Sequence, residues 1–582
     1  MPKVDRTIQN SVSKPPSRPT IINQRSLWSV VCIAAIAWSL AQTGLFGQDV
    51  INPGGWSLFL RFLQASLHPD LSPELLSVTL DATLVTLAYA VFGTALSVLL
   101  GLIGGVLASQ VWWQSVFLTK TSKGSPFSNY KVCWLSIRGF LSIPRAIHEM
   151  IWGLFFVNIF GLDPLVGILA ITIPFGAITA KVFSEILDET PRQPLMALLS
   201  SGVSPLKAFT YSLIPQAFPY LLSYTFYRFE CSIRSAAVLG IIGAGGLGYQ
   251  ILLSLQSLRY EQMWTFFLAL FLLNGSIDFW SALLRHRLGS PSRLDLNVFK
   301  LNRLKRQDLS YQSDPILLAS IIAAVGLLLF SFWTLKVDYT KLWAPRTVQL
   351  LGEVVQEVFP PNINQTQGEL FNLSTQTIAM SILAIAGAGL GGMLLSFFAA
   401  HNFLLPGGVL NPISQGKHHW FWGTAILLLT RSLLLISRAI PAPIWALILL
   451  FVLFPGILPG AIALGLHNLG ILGRLMAEVI ENLDQRPSRS LQALGATGAK
   501  VFLYGVLPNT LPRFMAYILY RWEVCMRETV IVGLVGAGGL GRLLTEQLSS
   551  FDYKSLVTTL LCFMVITFLV DLLSASVRRS LR

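Results

Sequence analysis

Long apolar stretches recur along the whole chain and are separated by short polar connections. An α-helix needs about 20 apolar residues to cross the roughly 30 Å hydrocarbon layer of a bilayer. About twelve stretches of this kind occur, six in each half, so the pattern predicts an all-α polytopic membrane protein. The predicted spans are 27–46, 82–108, 139–160, 163–183, 216–243 and 262–283 in the first half and 314–335, 376–400, 432–454, 458–480, 509–536 and 556–577 in the second.

The composition supports this prediction and excludes several classes of protein. Of the 582 residues, 53% are hydrophobic and only 12% are charged, about half the charged share of an average soluble protein. A water-soluble enzyme, a disordered chain and a nucleic-acid binder are therefore excluded. The five cysteines show no CxxC spacing, and we interpret them as packing residues without a disulfide framework or a metal site.

The charges of the connections predict the topology. The segment before the first span carries five basic residues and one acidic residue, and alternate connections are basic, then acidic or nearly neutral. Basic segments stay in the cytoplasm, so both chain ends are expected there. The predicted organisation is a cytoplasmic N-terminal tail at 1–26, a first membrane domain at 27–284, a basic cytoplasmic linker at 285–313 and a second membrane domain at 314–582.

The sequence contains an internal duplication at a constant offset. GIIGAGGLG at 240–248 returns as GLVGAGGLG at 533–541, and YRFE at 227–230 returns as YRWE at 520–523, each 293 residues later. Because six is an even number of spans, the second copy enters the membrane in the same orientation as the first. The chain is therefore predicted to form two parallel six-helix repeats related by an axis along the membrane normal.

A polar, helix-compatible loop lies between the fourth and fifth predicted spans of each half. In each copy a glycine precedes a proline by thirteen positions, Gly202 and Pro215 in the first and Gly495 and Pro508 in the second. Small residues let two helices meet closely, and glycine can adopt the positive φ of a tight turn. A docking element and an ordinary helix hairpin both fit this pattern.

These loops resemble the EAA loop of binding-protein-dependent ABC importer permeases, a helix-turn-helix that docks into a groove of the ATPase subunit. The leading glutamate of that family is replaced by Met196 in the first half and by Arg489 in the second. The resemblance implies that the coupling loops contain Ala197, Gly202, Pro215, Ala493, Gly495 and Pro508.

A more specific resemblance covers 145–248 and 438–541, which are similar to the phosphonate-type permeases. The residues that carry it are SRAIPAPIWA at 437–446, LHNLG at 466–470, YRWEVCMRE at 520–528 and GLVGAGGLG. The first half departs from the pattern, with His148 and Glu149 in place of Pro441 and Ala442 and with Pro174 and Phe175 in place of His467 and Asn468. This divergence puts equal roles for the two halves in doubt.

The resemblance implies a fused permease of an ABC importer that carries a phosphonate, phosphite or phosphate-like oxyanion across the bacterial inner membrane. It implies two copies of an ABC ATPase and an extracytoplasmic substrate-binding protein as partners in the lipid bilayer. No GxxxxGK[ST] motif occurs, so the chain itself is expected to bind no cofactor and to hydrolyse nothing, with ATP and Mg²⁺ held by the partner ATPase. The GAGGLG runs lack a surrounding βαβ unit, and we interpret them as close helix packing or an irregular turn at the external end of the fifth span.

A charged residue inside a membrane span costs free energy, so its presence indicates a structural or functional role. Glu230 and Arg234 are four residues apart, the favourable order for an i,i+4 pair, and Glu523 and Arg527 repeat this spacing. The favoured interpretation is that each pair neutralises itself, and direct substrate contact by the glutamates is the alternative. Arg145 and Arg438 lie at the start of the third predicted spans, near the cytoplasmic side, where they could snorkel to the headgroups or line a pore. Arg228, Arg234, Arg521 and Arg527 outnumber Glu230 and Glu523, which leaves a positive excess that could attract an oxyanion. The candidate translocation path is Arg145, Arg438, Glu230, Arg234, Glu523 and Arg527.

Two other functional classes remain possible from the residues alone. Twelve spans in two parallel halves also describe a secondary transporter driven by an ion gradient, although unpaired membrane carboxylates for proton or sodium coupling are scarce. An integral-membrane enzyme would need a nucleophile with a base, or a metal cluster, and the histidines at 401, 418 and 419 lack a metal-ligand spacing. Glu185 and Glu478, where the fourth spans emerge, are expected to cap or pair locally.

Overall fold

The protein is described by a computed structural model, which covers residues 24–44, 50–118, 127–287, 315–358, 367–405, 408 and 417–581. Nearly all of the predicted tail at 1–26 and most of the predicted linker at 285–313 lie outside these residues. The described residues are helical apart from connections and one isolated β-bridge between Ile51 and Leu453. The predicted all-α fold class is therefore confirmed.

Twelve helices precede the linker. They are α1 (Gln24–Gln42), α2 (Trp56–Ala65), α3 (Pro73–Ala108), α4 (Gln110–Leu118), α5 (Phe127–Ala146), α6 (Glu149–Phe160), α7 (Pro164–Glu189), α8 (Gln193–Ser200), α9 (Pro205–Ala208), α10 (Ile214–Leu239), α11 (Gly246–Gln256) and α12 (Tyr260–Arg287).

Twelve corresponding helices follow it. They are α13 (Pro315–Leu335), α14 (Pro345–Val358), α15 (Gln367–Ala399), α16 (His401–Leu404), α17 (Lys417–Ala439), α18 (Ala442–Leu449), α19 (Ile457–Glu481), α20 (Arg486–Ala493), α21 (Gly498–Val501), α22 (Leu507–Val532), α23 (Gly539–Ser549) and α24 (Tyr553–Leu581). The pairs α8/α20, α9/α21, α10/α22 and α11/α23 repeat at the 293-residue offset, as the duplication predicts.

Each predicted apolar stretch coincides with a helix, but not every stretch is one continuous span. Within the described residues, eight helices are long and apolar enough to cross a membrane, and three bent helix pairs raise the number to eleven. The first apolar helix, at Leu27–Gln42, is shorter than the others. The described residues thus give eight to eleven candidate spans, with the shorter apolar helix beside them, where about twelve were predicted. The positions agree with the prediction apart from the third span of each half, and two of the bent pairs contain the predicted fifth spans.

The third span of each half is broken, which corrects the predicted spans at 139–160 and 432–454. The axes of the described parts of α5 and α6 differ by 80°, and α17 ends at Ala439 before α18 begins at Ala442. Pro441 explains the second break because a proline disfavours helical geometry at the residue before it. At the first break, His148 caps α6 by accepting a hydrogen bond from the Met150 amide at 3.2 Å.

Tryptophans connect the two sides of both breaks. The Trp152 indole donates to the Pro144 carbonyl at 3.4 Å, and the Trp445 indole donates to the Ser437 carbonyl at 3.2 Å. Because of the breaks, Arg145 and Arg438 lie in the last turns of α5 and α17. The prediction that they open the third spans is therefore wrong, while their side of the membrane remains a prediction.

Ion pairs at equivalent positions hold α5 on α7 and α17 on α19. Arg138 contacts Asp188 at 3.3 Å, and Arg431 contacts Glu481 at 2.5 Å. Further along the same helices, Glu185 lies 3.9 Å from Lys181, and Glu478 lies 3.1 Å from Arg474. The predicted local pairing of Glu185 and Glu478 is confirmed.

The GAGGLG runs form an irregular turn and also a close helix contact, so both interpretations of them apply. Gly243 and Gly245 have φ angles of +98° and +82° between α10 and α11, and Gly536 and Gly538 repeat this geometry. A Cβ added at Gly248 would lie 1.7 Å from the Ala237 carbonyl oxygen of α10. The run therefore bends the chain and lets α11 approach the backbone of α10.

The two halves interlock on the side where α7 begins. Asp163, which caps α7, accepts a hydrogen bond from Lys341 of the second half, and this bond raises the pKa of Lys341. The Asn52 amide donates to the Val452 carbonyl at 2.7 Å, and the Phe454 amide donates to the Val50 carbonyl at 3.0 Å. In addition, α1 packs on α15 and α13 packs on α3, so the first helix of each half lies against the other half.

The close approach at Gly248 generates a stability prediction. Gly248→Ala forces a methyl group against backbone that cannot move aside, and overpacking of this kind costs about 1–3 kcal/mol. We expect the midpoint of thermal unfolding of the detergent-purified protein to fall. Gly326→Ala in α13 is the matched control, because no heavy atom lies within 4 Å of its added methyl group. Equal midpoints for the two variants would contradict the described packing.

Candidate functional site

A cavity of about 150 Å³ lies between the two halves, large enough for a few water molecules or a small anion. The first half lines it with the α5–α6 break, α7 and α10. The second half lines it with the α17–α18 break, α19 and α22. The broken helices of the third spans therefore bring their ends to a shared central space.

The charged side chains of this cavity are mostly cationic. Its wall holds two glutamates, Glu149 and Glu528, and two histidines, His148 and His467. The excess of guanidinium groups over carboxylates makes the cavity electropositive, and such a cavity attracts anions. The arginines of the wall are Arg145, Arg228, Arg234, Arg521 and Arg527.

Both carboxylates have partners within the wall. Glu149 accepts a hydrogen bond from the Ser235 hydroxyl at 2.6 Å and lies 3.1 Å from the His148 imidazole. Glu528 accepts hydrogen bonds from Arg521 and from the Asn468 amide, each at 3.0 Å. The Arg521 Nε also donates to the side-chain oxygen Oδ1 of Asn468 at 2.7 Å. Within the described part of the chain, Arg521 is thus the cavity arginine that has a cavity carboxylate within ion-pair distance.

Arg228 is buried without such compensation. Arg228 is only 6% exposed, and its Cζ lies 3.7 Å from the centre of the Phe175 ring. Nε and Nη2 are buried and have no hydrogen-bond acceptor among the described residues. The aromatic ring supports the flat face of the guanidinium group, while part of its donor edge is unsatisfied.

Three further arginines surround the cavity with weak or backbone contacts. Arg234 donates to the Cys231 sulfur at 3.3 Å, and its buried Nε has no acceptor in the described part of the chain. Arg527 donates to two backbone carbonyls, those of Glu523 at 3.3 Å and of Arg145 at 3.5 Å. Over the described ranges, no carboxylate oxygen comes within 4.0 Å of the Arg145, Arg228, Arg234 or Arg527 nitrogens.

The structure brings half of the predicted path residues to the cavity. Arg145, Arg234 and Arg527 line it, whereas Glu230, Glu523 and Arg438 do not. Glu230 contacts Arg438 of the other half at 3.1 Å, and Arg438 also contacts Asp278. Glu523 contacts Arg578 of α24 at 2.6 Å.

The predicted i,i+4 pairs of Glu230 with Arg234 and of Glu523 with Arg527 are therefore wrong. Helical spacing places these residues near each other, but partners on neighbouring helices take the carboxylates. The snorkelling interpretation also fails for Arg438, which is only 8% exposed and lies inside the bundle. A buried arginine at that depth needs carboxylate partners, and it finds them in the other half.

Sequence reasoning missed the two glutamates of the cavity wall. Glu149 stands at the position equivalent to Ala442 of the second half, and Glu528 stands at the position equivalent to Ser235 of the first half. A carboxylate inside an apolar span is itself a signal of a functional or structural site. Comparison of the two copies at the 293-residue offset already sets Glu149 against Ala442, and extending it to Ser235 would have identified Glu528.

The predicted coupling loops form short helix-turn-helix units. Gly202 joins α8 to α9 with a φ of +82°, and Gly495 joins α20 to α21 with a φ of +78°. Ala197 and Ala493 lie in α8 and α20, and Pro215 and Pro508 lie in the first turns of α10 and α22. The hairpin geometry agrees with the prediction, while the coupling role of these six residues remains a prediction.

The loops also present apolar side chains to their surroundings. Leu494 is 84% exposed and Tyr504 is 73% exposed in the second half. In the first half Tyr211, the counterpart of Tyr504, is 79% exposed and Leu206 is 61% exposed. Both loops therefore carry apolar side chains that make few contacts within the chain.

Comparison with known proteins identifies both halves. Residues 131–290 and 418–582, together more than half of the chain, match the family model described as "Binding-protein-dependent transport system inner membrane component". The chain is 26% identical over 446 residues to the phosphate-import permease protein PhnE of Mycolicibacterium smegmatis, covering 76% of this chain and 77% of that protein. The two matched regions correspond to the two structural repeats.

Two shorter relatives are similar to parts of the chain. The phosphite transport system permease protein PtxC of Stutzerimonas stutzeri is 32% identical over 265 residues, which cover 45% of this chain and 88% of that protein. The putative cryptic phosphonate transport system permease protein PhnE2 of Escherichia coli is 36% identical over 118 residues, 20% of this chain and 97% of that protein. No solved structure matches the chain significantly.

The different environments of Arg438 and Arg145 generate a second prediction. Removal of one partner from a buried ion pair costs about 3–5 kcal/mol because the other charge stays buried. Arg438→Gln leaves Glu230 and Asp278 without their common cation and is expected to lower the thermal unfolding midpoint strongly. Arg145→Gln, at the equivalent position, is the matched control and is expected to change the midpoint little. Similar midpoints for both variants would contradict this assignment.

Proposed function

The chain belongs to the family of binding-protein-dependent transport system inner membrane components, and on this premise we propose that it supplies both membrane domains of an ABC importer for a phosphorus oxyanion. The substrate class is phosphonate, phosphite or phosphate. The membrane is the bacterial inner membrane, with both chain ends in the cytoplasm. The partners are two copies of an ABC ATPase and an extracytoplasmic substrate-binding protein.

The observation that carries this proposal is the cavity between the halves, where four arginines lack a carboxylate contact among the described residues. The planar guanidinium group donates two parallel hydrogen bonds to a tetrahedral oxyanion, which makes arginine the preferred residue for phosphate recognition. In a low-dielectric site these charges act more strongly than in water. The names of the relatives, which transport phosphate and phosphite, support the same substrate class.

The energy for transport must come from the partner, because the sequence has no P-loop. We place the ATPase contact at the loops around Gly202 and Gly495, whose exposed Tyr211, Leu494 and Tyr504 offer an apolar surface. ATP-driven closure of the two ATPase copies would bring these loops together. The loops continue into α10 and α22, which line the cavity, so a movement of the loops reaches the cavity through continuous helices.

The test of the proposed function is reconstitution in proteoliposomes with the cognate ATPase and binding protein. The binding protein is loaded in turn with phosphate, phosphite, methylphosphonate or sulfate. We expect ATP hydrolysis and uptake to rise with at least one phosphorus oxyanion and not with sulfate. Uptake that needs no ATPase and follows an ion gradient would overturn the proposal in favour of a secondary transporter.

The coupling loops generate a prediction with an internal control. A β-branched residue at a positive φ is strained, so Gly495→Val and Gly202→Val are expected to distort the turns and to uncouple ATP hydrolysis from substrate. Gly352→Val in α14 is the control, since this glycine has ordinary helical geometry and no heavy atom lies within 4 Å of an added Cβ. The measurements are ATPase co-purification and stimulated ATP hydrolysis. Wild-type stimulation in both loop variants would contradict the coupling role.

A further inference from the structure

The two halves line the cavity unequally at positions that the duplication makes equivalent. Arg521 of the second half is hydrogen-bonded to Glu528 and Asn468. Its counterpart in the first half, Arg228, faces Phe175 at the position of Asn468. Ser235 occupies the position of Glu528. Two substitutions between the copies thus remove both the carboxylate and the amide that neutralise the second-half arginine.

A second pair of equivalent arginines shows the same inequality. Arg438 is withdrawn from the cavity into contacts with Glu230 and Asp278. Its counterpart Arg145 lines the cavity, and no described carboxylate oxygen lies within ion-pair distance of it. In both pairs, therefore, the second-half member has a protein carboxylate within ion-pair distance, and the first-half member has none among the described residues.

Glu149 does not cancel this difference. It belongs to the first-half wall, but one oxygen accepts from the Ser235 hydroxyl at 2.6 Å and the other lies 3.1 Å from His148. No ion pair joins it to an arginine within the described ranges. Its contacts keep the carboxylate on the wall formed by α6 and α10, away from direct pairing with Arg228.

A buried guanidinium group with unsatisfied donors is costly, and the cost is recovered when an anion binds. Arg228 also packs on an aromatic ring, since its Cζ lies 3.7 Å from the centre of the Phe175 ring. Arg228 lines the cavity, and its Nε and Nη2, the two donors on one edge of the guanidinium group, are buried without an acceptor among the described residues. The first-half wall therefore holds a positive charge with unsatisfied donors, which an oxyanion could satisfy.

We infer that the oxyanion binds asymmetrically in the cavity, with Arg228 and Arg145 of the first half as its principal ligands. Arg234 and Arg527 complete the cationic surroundings. Arg521 and Arg438 are positioning residues, which hold the second-half wall and the interface through Glu528, Asn468, Glu230 and Asp278. This inference rests on the proposed function, because it assigns a binding site to the same substrate class.

The test compares equivalent residues in one assay. Arg228→Gln removes a charged donor to the anion, and loss of such a contact weakens binding by about tenfold or more. We expect phosphate or methylphosphonate binding to the purified permease, followed by phosphorus NMR, to fall by this factor with little change in thermal stability. Ser235→Glu places a carboxylate opposite Arg228, as Glu528 lies opposite Arg521, and is expected to weaken binding similarly.

Arg521 requires a double variant, because Arg521→Gln alone leaves Glu528 buried without its cation. We expect Arg521→Gln to lower the unfolding midpoint, and Arg521→Gln/Glu528→Gln to recover the midpoint and to weaken oxyanion binding clearly less than Arg228→Gln does. A purely structural role for Arg228 would give the opposite result, with loss of stability and unchanged binding.

The outcomes separate this inference from the proposed function. If the wild type neither binds nor transports any of phosphate, phosphite and methylphosphonate, both the proposed function and the inference fail. If the wild type transports one of them, but Arg228→Gln and the Arg521→Gln/Glu528→Gln double variant weaken binding equally, the proposed function stands and the asymmetric site is overturned. Retention of binding by Arg228→Gln also overturns it.

Discussion

A guanidinium group inside a membrane protein must be compensated, and the interior of this chain is arranged around that requirement. Arg438 takes two carboxylates from the other half, and Arg521 takes a carboxylate and an amide from its own half. The remaining arginines of the interior surround a shared cavity. Carboxylates and backbone carbonyls of the neighbouring walls reduce their mutual repulsion, and the proposed oxyanion would reduce it further. Buried arginines therefore join the two halves through ion pairs and also line the cavity between them.

The broken helices make this arrangement possible. A continuous third span would carry Arg145 and Arg438 past the centre of the bundle on one helix face. The breaks before α6 and α18 instead end the preceding helices at these arginines, while Trp152 and Trp445 hold the two sides of each break together. The glycine turns after α10 and α22 add a second pair of breaks. Non-helical backbone is acceptable at membrane depth where it is buried in protein or lines a cavity, and the third-span breaks line the cavity.

Duplication provided two copies of one fold, and a few substitutions then gave them different chemistry. The helices repeat at a constant offset, and so do the pairs Arg138–Asp188 and Arg431–Glu481 that join the third and fourth spans. The cavity walls differ: Phe175 corresponds to Asn468 and Ser235 to Glu528. Both positions lie within helices in both copies, yet the two changes together determine whether the neighbouring arginine contacts a carboxylate and an amide. Unequal halves suit a single substrate anion, which cannot contact two identical walls equally unless it lies on the axis between them.

The sequence by itself determined the fold class, the positions of nearly all spans, the parallel duplication and the hairpins around Gly202 and Gly495. Apolar length, a constant repeat offset and glycine turns can all be read along the chain without knowledge of contacts in space. It also indicated a positive excess near the path. Only the tertiary structure decided which carboxylate meets which arginine. Helical spacing predicted Glu230 beside Arg234, but Glu230 contacts Arg438, 208 residues away. Ion pairs depend on the distance between side chains in space, and a local pattern cannot give that distance when helices from two halves meet at one interface.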